Sequence, residues 1–194
     1  MKKLSNSGGL AVGLLGLLSM AGAVSCSPGP APAATGRVSP TYRSDTGRLE
    51  KLASDRNGDG HDDAWAFMDG TRLLRAELDD DYDGRVDRRE FYTAAVRGLG
   101  VVERVELLSA TGTVIRTESY EKGVLLAAAE DTTGDGRPDK WEQYTAGALT
   151  SVSLDTQGRG LPDRRLVYTS AGGAPRIETD PDGSGHFRPA APAQ

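Results

Sequence analysis

The strongest chemical signal in the sequence is a twelve-residue segment, residues 79–90, with oxygen-bearing side chains at fixed intervals. Counted from its first residue, acids occupy positions 1, 3, 5, 9 and 12, and Gly84 occupies position 6. Calcium prefers several oxygen ligands, and loops that wrap around it use this spacing, with the backbone carbonyl at position 7 as a further ligand. The segment therefore predicts a calcium site with the ligands Asp79, Asp81, Asp83, the carbonyl of Arg85, Asp87 and Glu90.

Two further segments carry the same pattern less completely. The segment that starts at residue 131 has a threonine at position 3, so we expect weaker binding there, and the segment at 55 has Ala66 in place of the acid at position 12. The predicted ligands are Asp131, Thr133, Asp135, the carbonyl of Arg137, Asp139 and Glu142 in the first, and Asp55, Asn57, Asp59, the carbonyl of His61 and Asp63 in the second.

Two more copies have lost most of the ligand pattern. In the copy that starts at residue 155, Arg159 stands at position 5. We hypothesise that its guanidinium bridges Asp155 and Asp163 in place of an ion. The copy at 180 keeps acids only at positions 1 and 3, with Ser184 at position 5, so no ion is expected there.

The glycine at position 6 marks an internal repeat. The copies recur about every 24 residues, and counting back from residue 131 gives one more copy, at Leu107, which has lost the acids. A tyrosine follows thirteen residues after the start of four copies. Such periodicity indicates a repeat architecture. The glycines in phase are Gly60, Gly84, Gly112, Gly136, Gly160 and Gly185.

The segments between the loops predict strands. Residues 140–154 are rich in threonine, valine and tyrosine and are interrupted by the turn residues Ala146-Gly147. We therefore predict a mostly β fold, an antiparallel meander or repeat array of hairpin units of about 24 residues with Asp/Gly-rich calcium loops between them. An alternative remains open around the loop at 79, where residues 71–78 and 89–97 could form flanking helices.

The N-terminus predicts export. Lys2 and Lys3 precede a short apolar run, Leu10–Met20, and small residues then lead to Cys26. Two interpretations are open, an ordinary signal-peptidase site or a lipobox in which Cys26 is lipidated. We favour the second, because Cys26 is the only cysteine, which also excludes an internal disulfide. The predicted organisation is a signal peptide (1–25), a Pro/Ala-rich tether (26–40), a calcium-loop repeat domain (41–188) and a disordered tail (189–194).

The charge balance limits the class of partner. The net charge is −5, and loss of residues 1–25 would remove two lysines and no acid, which gives −7. An acidic surface of this kind argues against nucleic acid and anionic lipid as partners, and it favours divalent cations.

The residues that suggest catalysis have simpler interpretations. His61 and His186 both fall at position 7, where the backbone carbonyl is the ligand and the side chain faces solvent. Each close pair of acids already belongs to the ligand pattern, and we recognise no nucleophile elbow or phosphate loop. Trp65 and Trp141 share position 11, where they either pack behind the loop or offer a platform for a sugar ring.

Residues 131–144 read Asp-x-x-Gly-Asp-Gly-x-Pro-Asp-x-Trp-Glu-x-Tyr, which resembles the calcium-loop repeats of exported bacterial proteins. The loops are also similar to EF-hand loops and to the aspartate-rich loops of thrombospondin type 3 repeats and dockerins. The likeness covers roughly residues 42–187, without the leucine-rich helices of dockerins, so cohesin binding is not implied. The resemblance implies calcium-stabilised structure outside the cytoplasm, and no reaction.

The expected function is that of a calcium-binding lipoprotein of the cell envelope with a structural or adhesive role. Its expected partners are calcium ions, a membrane through lipidated Cys26, and an envelope protein or glycan; no catalytic activity is expected. The alternative is a secreted carbohydrate-binding or glycan-hydrolysing protein that uses Trp65, Trp141 and neighbouring acids.

Overall fold

A computed structural model of the protein describes residues 36–93, 100–169 and 173–190. The predicted signal peptide, Cys26, most of the predicted tether and residues 191–194 lie outside the described residues. The described residues form thirteen strands, and no helix among them is long and apolar enough to cross a membrane. The strands are β1 (Val38–Tyr42), β2 (Leu49–Ser54), β3 (Ala64–Asp69), β4 (Arg72–Leu78), β5 (Arg88–Tyr92), β6 (Val102–Leu108), β7 (Val114–Glu121), β8 (Val124–Glu130), β9 (Lys140–Thr145), β10 (Ala148–Leu154), β11 (Arg164–Val167), β12 (Arg176–Thr179) and β13 (Arg188–Pro189).

The strands pair in sequence order. Each one is antiparallel to the next, from β1 at one edge to β13 at the other, in a single sheet. The predicted antiparallel meander of hairpin units is confirmed. The first strand begins at Val38, inside the stretch predicted as tether, and the last ends at Pro189, the first residue of the predicted tail.

The alternative of helices around the loop at 79 is wrong for the described residues. Residues 72–78 and 88–92 are paired strands, in which Ala76 lies opposite Glu90 and Leu78 lies opposite Arg88. The alternation typical of strands outweighs the helical alternative, because every second residue of each segment can contact a neighbour on the same face of the sheet. Residues 94–97, the end of the second proposed helix, lie outside the described residues.

Two-residue turns join β7 to β8 and β9 to β10 at one end of the sheet. Lys122 and Gly123 have φ angles of 51° and 79°, and Ala146 and Gly147 have φ angles of 50° and 78°. Two consecutive residues with positive φ are typical of the type I′ turn, whose twist matches that of the strands it connects.

The sheet has two faces and very little apolar core. The described hydrophobic residues that are fully buried are Ala53, Val105, Leu108 and Ala128. Charged and aromatic side chains cover much of the remaining surface: the guanidinium of Arg75 lies 4.2 Å from the ring of Phe67. Hydrophobic burial therefore contributes less here than in a two-layer domain, and backbone pairing and side-chain ion pairs contribute more.

The repeat loops all lie at the other end of the sheet, because each connects an even-numbered strand to the next odd-numbered one. Their backbones are hydrogen-bonded in series: the N–H of Asp79 donates to the carbonyl of Asp63 at 2.9 Å, and the N–H of Asp155 donates to that of Asp139 at 2.8 Å. The equivalent bond between β5 and β6 comes from Leu108. The degenerate copy is therefore one residue shorter than its siblings and starts at Leu108, not at Leu107.

Candidate metal centre

Each aspartate-containing loop, named here by its first residue, is folded around its first carboxylate. In all five, one oxygen of this aspartate accepts the N–H of the glycine at position 6, whose φ is positive, as with +89° at Gly84. Only glycine adopts such angles without steric cost, which explains the phase of the glycines. The N···O distances are 2.9 Å for Asp55–Gly60, 2.8 Å for Asp79–Gly84, 2.7 Å for Asp131–Gly136, 2.5 Å for Asp155–Gly160 and 2.7 Å for Asp180–Gly185.

The aspartate at position 9 closes four of these loops. One of its oxygens accepts the backbone N–H of the residue at position 2, so the carboxylate ties the beginning of the loop to its end. The N···O distances are 2.9 Å for Arg56–Asp63, 2.7 Å for Asp80–Asp87, 3.0 Å for Thr132–Asp139 and 2.9 Å for Thr156–Asp163.

The side chain at position 2 determines whether the second oxygen of the aspartate at position 9 receives a side-chain hydrogen bond. Thr132 and Thr156 donate their hydroxyls to it at 2.7 Å each, and Arg56 donates its Nε to Asp63 at 2.8 Å. In loop 79 the residue at position 2 is Asp80, which has no donor when ionised and pairs instead with Arg56 and Arg88. Asp87 therefore receives no side-chain hydrogen bond from its own loop.

Loop 79 is also where carboxylates converge. One oxygen from each of Asp79, Asp81 and Asp87 lies within 4.8 Å of the other two, and Asp79 is only 2% exposed. Asp83 lies beside them and donates its N–H to Asp79 at 3.2 Å. Among the His, Cys, Asp and Glu side chains of the described residues, no other group of three is this close. This spacing suits a hard cation with oxygen ligands.

The electrostatics of loop 79 differ from those of its siblings. The N–H of Asp83 lowers the pKa of Asp81, but desolvation and the charges of the neighbouring loop aspartates outweigh it, so this pKa lies above its ordinary value. In loop 131 burial raises the pKa values of Asp131 and Asp139, but hydrogen bonds outweigh it and both lie below their ordinary values. Neighbouring carboxylates therefore help to raise the pKa of Asp81 in loop 79, whereas hydrogen bonds lower the pKa values of Asp131 and Asp139 in loop 131.

The remaining candidate ligands of loop 55 bind each other. Asn57 donates its amide to Asp59 at 2.9 Å, and the N–H of His61 donates to the same carboxylate at 2.8 Å. A second guanidinium nitrogen of Arg56 donates to the carbonyl of Asp79 at 2.7 Å, so this side chain links loop 55 to loop 79.

Loop 131 has a similar internal network. The hydroxyl of Thr133 donates to Asp131 at 3.3 Å, and the N–H of Arg137 donates to Asp135 at 2.9 Å. In loops 55 and 131, hydrogen bonds between residues of the same loop therefore help to fix the backbone conformation.

The glutamates at position 12 lie outside the loops. Glu90 is in β5, where its carboxylate accepts the hydroxyl of Tyr92 at 2.5 Å. Glu142 is in β9 and is bound by Arg116, Lys140 and Tyr144 at 2.7, 2.8 and 2.8 Å. The strands begin at position 10, so position 12 falls on a face of the sheet and its side chain contacts neighbouring strands.

The bridging role proposed for Arg159 is wrong. Its guanidinium donates to the carbonyl of Pro181 at 3.3 Å, and the hydroxyl of Thr156 occupies Asp163 instead. The last copy keeps its loop geometry: Asp180 is 1% exposed and accepts hydrogen bonds from Ser184 as well as from its glycine.

Trp65 and Trp141 lie on the same face of the sheet but far apart. The pairing register connects them directly across six inter-strand steps, from β3 to β9. At the usual strand spacing this is about 28 Å along the sheet, too far for both side chains to act on one sugar ring.

Two features of the site region were missed by the sequence reasoning. One is the donor at position 2, which is visible in the sequence as the contrast between Asp80 and Thr132 or Thr156. The other is a pattern of Lys or Arg, then Glu, then Tyr at alternate positions, which the sequence repeats at 88–92, 116–120 and 140–144.

Comparison with known proteins gives no family assignment. No protein-family model matches the chain, and no curated protein matches it. A crystal structure of the GtfA/B complex bound to UDP and GlcNAc matches 55% of this chain and 22% of its own, with 22% identity and a TM-score of 0.39. A structure of accessory secretory protein 1, 2 and 3 from Streptococcus pneumoniae matches 61% of this chain and 19% of its own, with 11% identity and a TM-score of 0.35. The chain thus spans about a fifth of each structure, and likeness at this level identifies neither fold nor activity.

Proposed function

We propose that this protein is a calcium-binding lipoprotein of the cell envelope with a structural or adhesive role, and that loop 79 holds its principal ion. The observation that carries the proposal is the convergence of Asp79, Asp81 and Asp87 within 4.8 Å. The carboxylate of Asp83 and the carbonyl of Arg85 are the further oxygen ligands that the loop offers.

The contrast between the loops supports a single strong site. Loops 55, 131 and 155 use a side-chain donor at position 2 to bind the aspartate at position 9. Loop 79 has Asp80 at this position and concentrates carboxylates, whose mutual repulsion a divalent cation would relieve. We therefore assign weaker binding, or none, to loops 55 and 131.

Calcium would act on the folded state. An ion that binds the folded loop and not the unfolded chain stabilises the protein by about 2.7 kcal/mol at one hundred times its Kd. With five loop oxygens, an exposed position and no bidentate acid at position 12, we expect a Kd of about 10⁻⁴ to 10⁻³ M, as in extracellular modules. Such a site is at least half occupied where calcium is millimolar, which agrees with the export predicted from residues 1–25.

Calorimetric titration of the full chain with calcium tests the site. We expect one site in this range, and Asp81→Asn should lower the affinity at least tenfold because it removes a charged ligand. Asp182→Asn makes the same change at position 3 of loop 180 and should leave the titration unchanged. Absence of calcium binding by the unmodified chain would contradict the proposal.

Membrane partitioning tests the lipid anchor independently. Cys26→Ser removes the acylated thiol, and we expect the protein to move from the membrane fraction to the soluble fraction of cells that export it. Unchanged partitioning would exclude lipidation at Cys26, whatever the outcome with calcium.

A further inference from the structure

A three-residue unit of a cation, a glutamate and a tyrosine repeats on β5, β7 and β9. In each unit the tyrosine hydroxyl donates to one oxygen of the glutamate and the cation pairs with the other. The units are Arg88–Glu90–Tyr92, Arg116–Glu118–Tyr120 and Lys140–Glu142–Tyr144, with hydroxyl–carboxylate distances of 2.5, 2.7 and 2.8 Å and cation–carboxylate distances of 3.3, 2.9 and 2.8 Å.

The units on β5 and β7 flank an open groove. Its volume is about 510 Å³, which lies within the range of small-ligand sites. Val105 and Leu107 of β6 line it between the two units, and Tyr92 and Tyr120 line its sides. The register places Glu90, Val105 and Glu118 side by side on this face, so an apolar strip lies between two rows of oriented polar groups.

The charges of this face are largely paired. Three cations face the three glutamates of the units, Glu130 adds one negative charge beside Arg116, and Asp80 of the adjoining loop adds another beside Arg88. A polyanion or a polycation would have to break these ion pairs to bind. A neutral ligand with many hydroxyls would keep them, because carboxylates and tyrosine oxygens can accept further hydrogen bonds from hydroxyl groups. Apolar ring faces could meanwhile contact the tyrosines and Val105.

The spacing of the units selects among neutral ligands. The units lie on alternate strands, so they repeat about every 10 Å across the sheet. A β-1,4-linked glycan repeats at a similar distance, because successive sugar rings are rotated by half a turn and every second ring presents the same face. We propose that the face formed by β5 to β9 binds a neutral β-1,4-linked glycan that runs across the strands, with one disaccharide for each unit.

This inference rests on the proposed function, because it names a glycan as the partner in the adhesive role. That role requires the protein to be exported. The inference does not rest on calcium, because the groove is lined by strand residues, Gly100, Val101 and Gly123 and not by loop 79. Failure of glycan binding would leave the calcium and lipid-anchor tests unaffected.

Titration of the full chain with cellohexaose, at saturating calcium, tests the proposal. Maltohexaose is the matched probe because it has the same composition and an α-1,4 linkage. We expect cellohexaose to bind with a Kd of about 1 mM, typical of a shallow open site, and maltohexaose to bind at least tenfold more weakly. Cellobiose, which spans one unit, should also bind at least tenfold more weakly than the hexasaccharide.

Tyrosine variants locate the site. Tyr120→Leu should weaken cellohexaose binding at least tenfold, and Tyr120→Phe, which keeps the ring on the sheet, should weaken it about threefold. Tyr168→Leu is the matched control, because Tyr168 has the same place in a repeat whose glutamate is replaced by Leu166. The proposal is overturned if cellohexaose does not bind, if maltohexaose binds equally well, or if Tyr168→Leu weakens binding as much as Tyr120→Leu.

Discussion

At the scale of single residues, the side chain at position 2 separates loop 79 from its siblings. Thr132 and Thr156 provide a hydroxyl that binds the aspartate at position 9, and Arg56 provides a guanidinium nitrogen. Asp80 provides no donor and adds a charge. One side chain therefore determines whether the second oxygen of the position-9 aspartate receives a hydrogen bond from within its loop.

Asp80→Thr is expected to give loop 79 the side-chain hydrogen bond to position 9 that its siblings have. The new hydroxyl would donate to Asp87, as Thr132 does to Asp139, and we expect calcium affinity to fall at least tenfold, or about 1.4 kcal/mol. Calorimetry measures this change. Asp45→Thr removes the same charge from the turn before β2 and should alter affinity less than twofold. Unchanged affinity in Asp80→Thr would refute the role of position 2.

Glu142 predicts a dependence of stability on pH. Burial raises the pKa of Glu142, but hydrogen bonds from Arg116, Lys140 and Tyr144 outweigh it and bring the pKa to about 2 from an ordinary 4.5. Because the folded-state pKa is the lower one, the stabilisation is present above pH 4.5 and is lost as the pH falls towards 2. The shift in pKa corresponds to about 3 kcal/mol of stabilisation. This value is an upper limit, because the side chain is 11% exposed and water screens part of the interaction.

Denaturant unfolding at several pH values measures this contribution. Glu142→Gln should lower the free energy of unfolding at pH 7 by about 2 kcal/mol and should flatten its decline below pH 4.5. Glu121→Gln is the control, because Glu121 is 65% exposed and its only ion pair within the described part of the chain is with exposed Lys122. An equal effect of both substitutions would contradict the assignment to Glu142.

The sequence register included the three converging aspartates among its candidate ligands but could not separate loop residues from strand residues. Asp79, Asp81 and Asp87 precede the strand, whereas Glu90 follows its first residue by two positions. The ligand pattern alone assigns all four to one ion. The competing signal is the alternation of Arg88, Glu90 and Tyr92, which has the period of a strand and places the three side chains on one face.

At the scale of elements, the glycines in phase predicted the loops because a backbone requirement is recorded directly in the sequence. Gly136 has a φ of 88°, and a methyl group added at its Cα would meet no other atom within 4 Å. The sequence shows less clearly where a loop has been shortened. The repeat period places the start of the copy between β6 and β7 at Leu107, whereas the hydrogen bond from Leu108 to Asp87 places it at Leu108.

Gly136→Ala should therefore destabilise the protein through its backbone alone. A left-handed conformation costs an alanine about 1 to 2 kcal/mol, and the open space around Gly136 excludes a steric contribution. Thermal or denaturant unfolding measures this loss. Ala146→Asn is the opposite change, since it places the preferred Asn-Gly pair in a type I′ turn, and it should stabilise by about 0.5 kcal/mol. Equal effects in the same direction would contradict the backbone explanation.

At the scale of the whole molecule, the described chain is a one-dimensional array. Each strand contacts only the strands before and after it, and only four apolar side chains are fully buried. The free energy of folding is then approximately a sum of unit and neighbour contributions. A ligand that binds one loop stabilises the strands next to that loop most, and its influence falls with distance along the array.

Calcium should therefore protect only part of the sheet from hydrogen exchange. On removal of calcium from the full chain, we expect faster amide exchange in β3, β4 and β5, which flank loop 79 directly or through the hydrogen bond between Asp79 and Asp63. Exchange in β10, β11 and β12 should change little, because they lie at least five strands away from β5. Hydrogen-exchange mass spectrometry measures both regions in one experiment. Asp81→Asn should exchange like the calcium-free protein under both conditions. A uniform change across all strands would instead require the sheet to unfold as one cooperative unit. A change confined to loops 131 and 155 would contradict the assignment of the principal ion to loop 79.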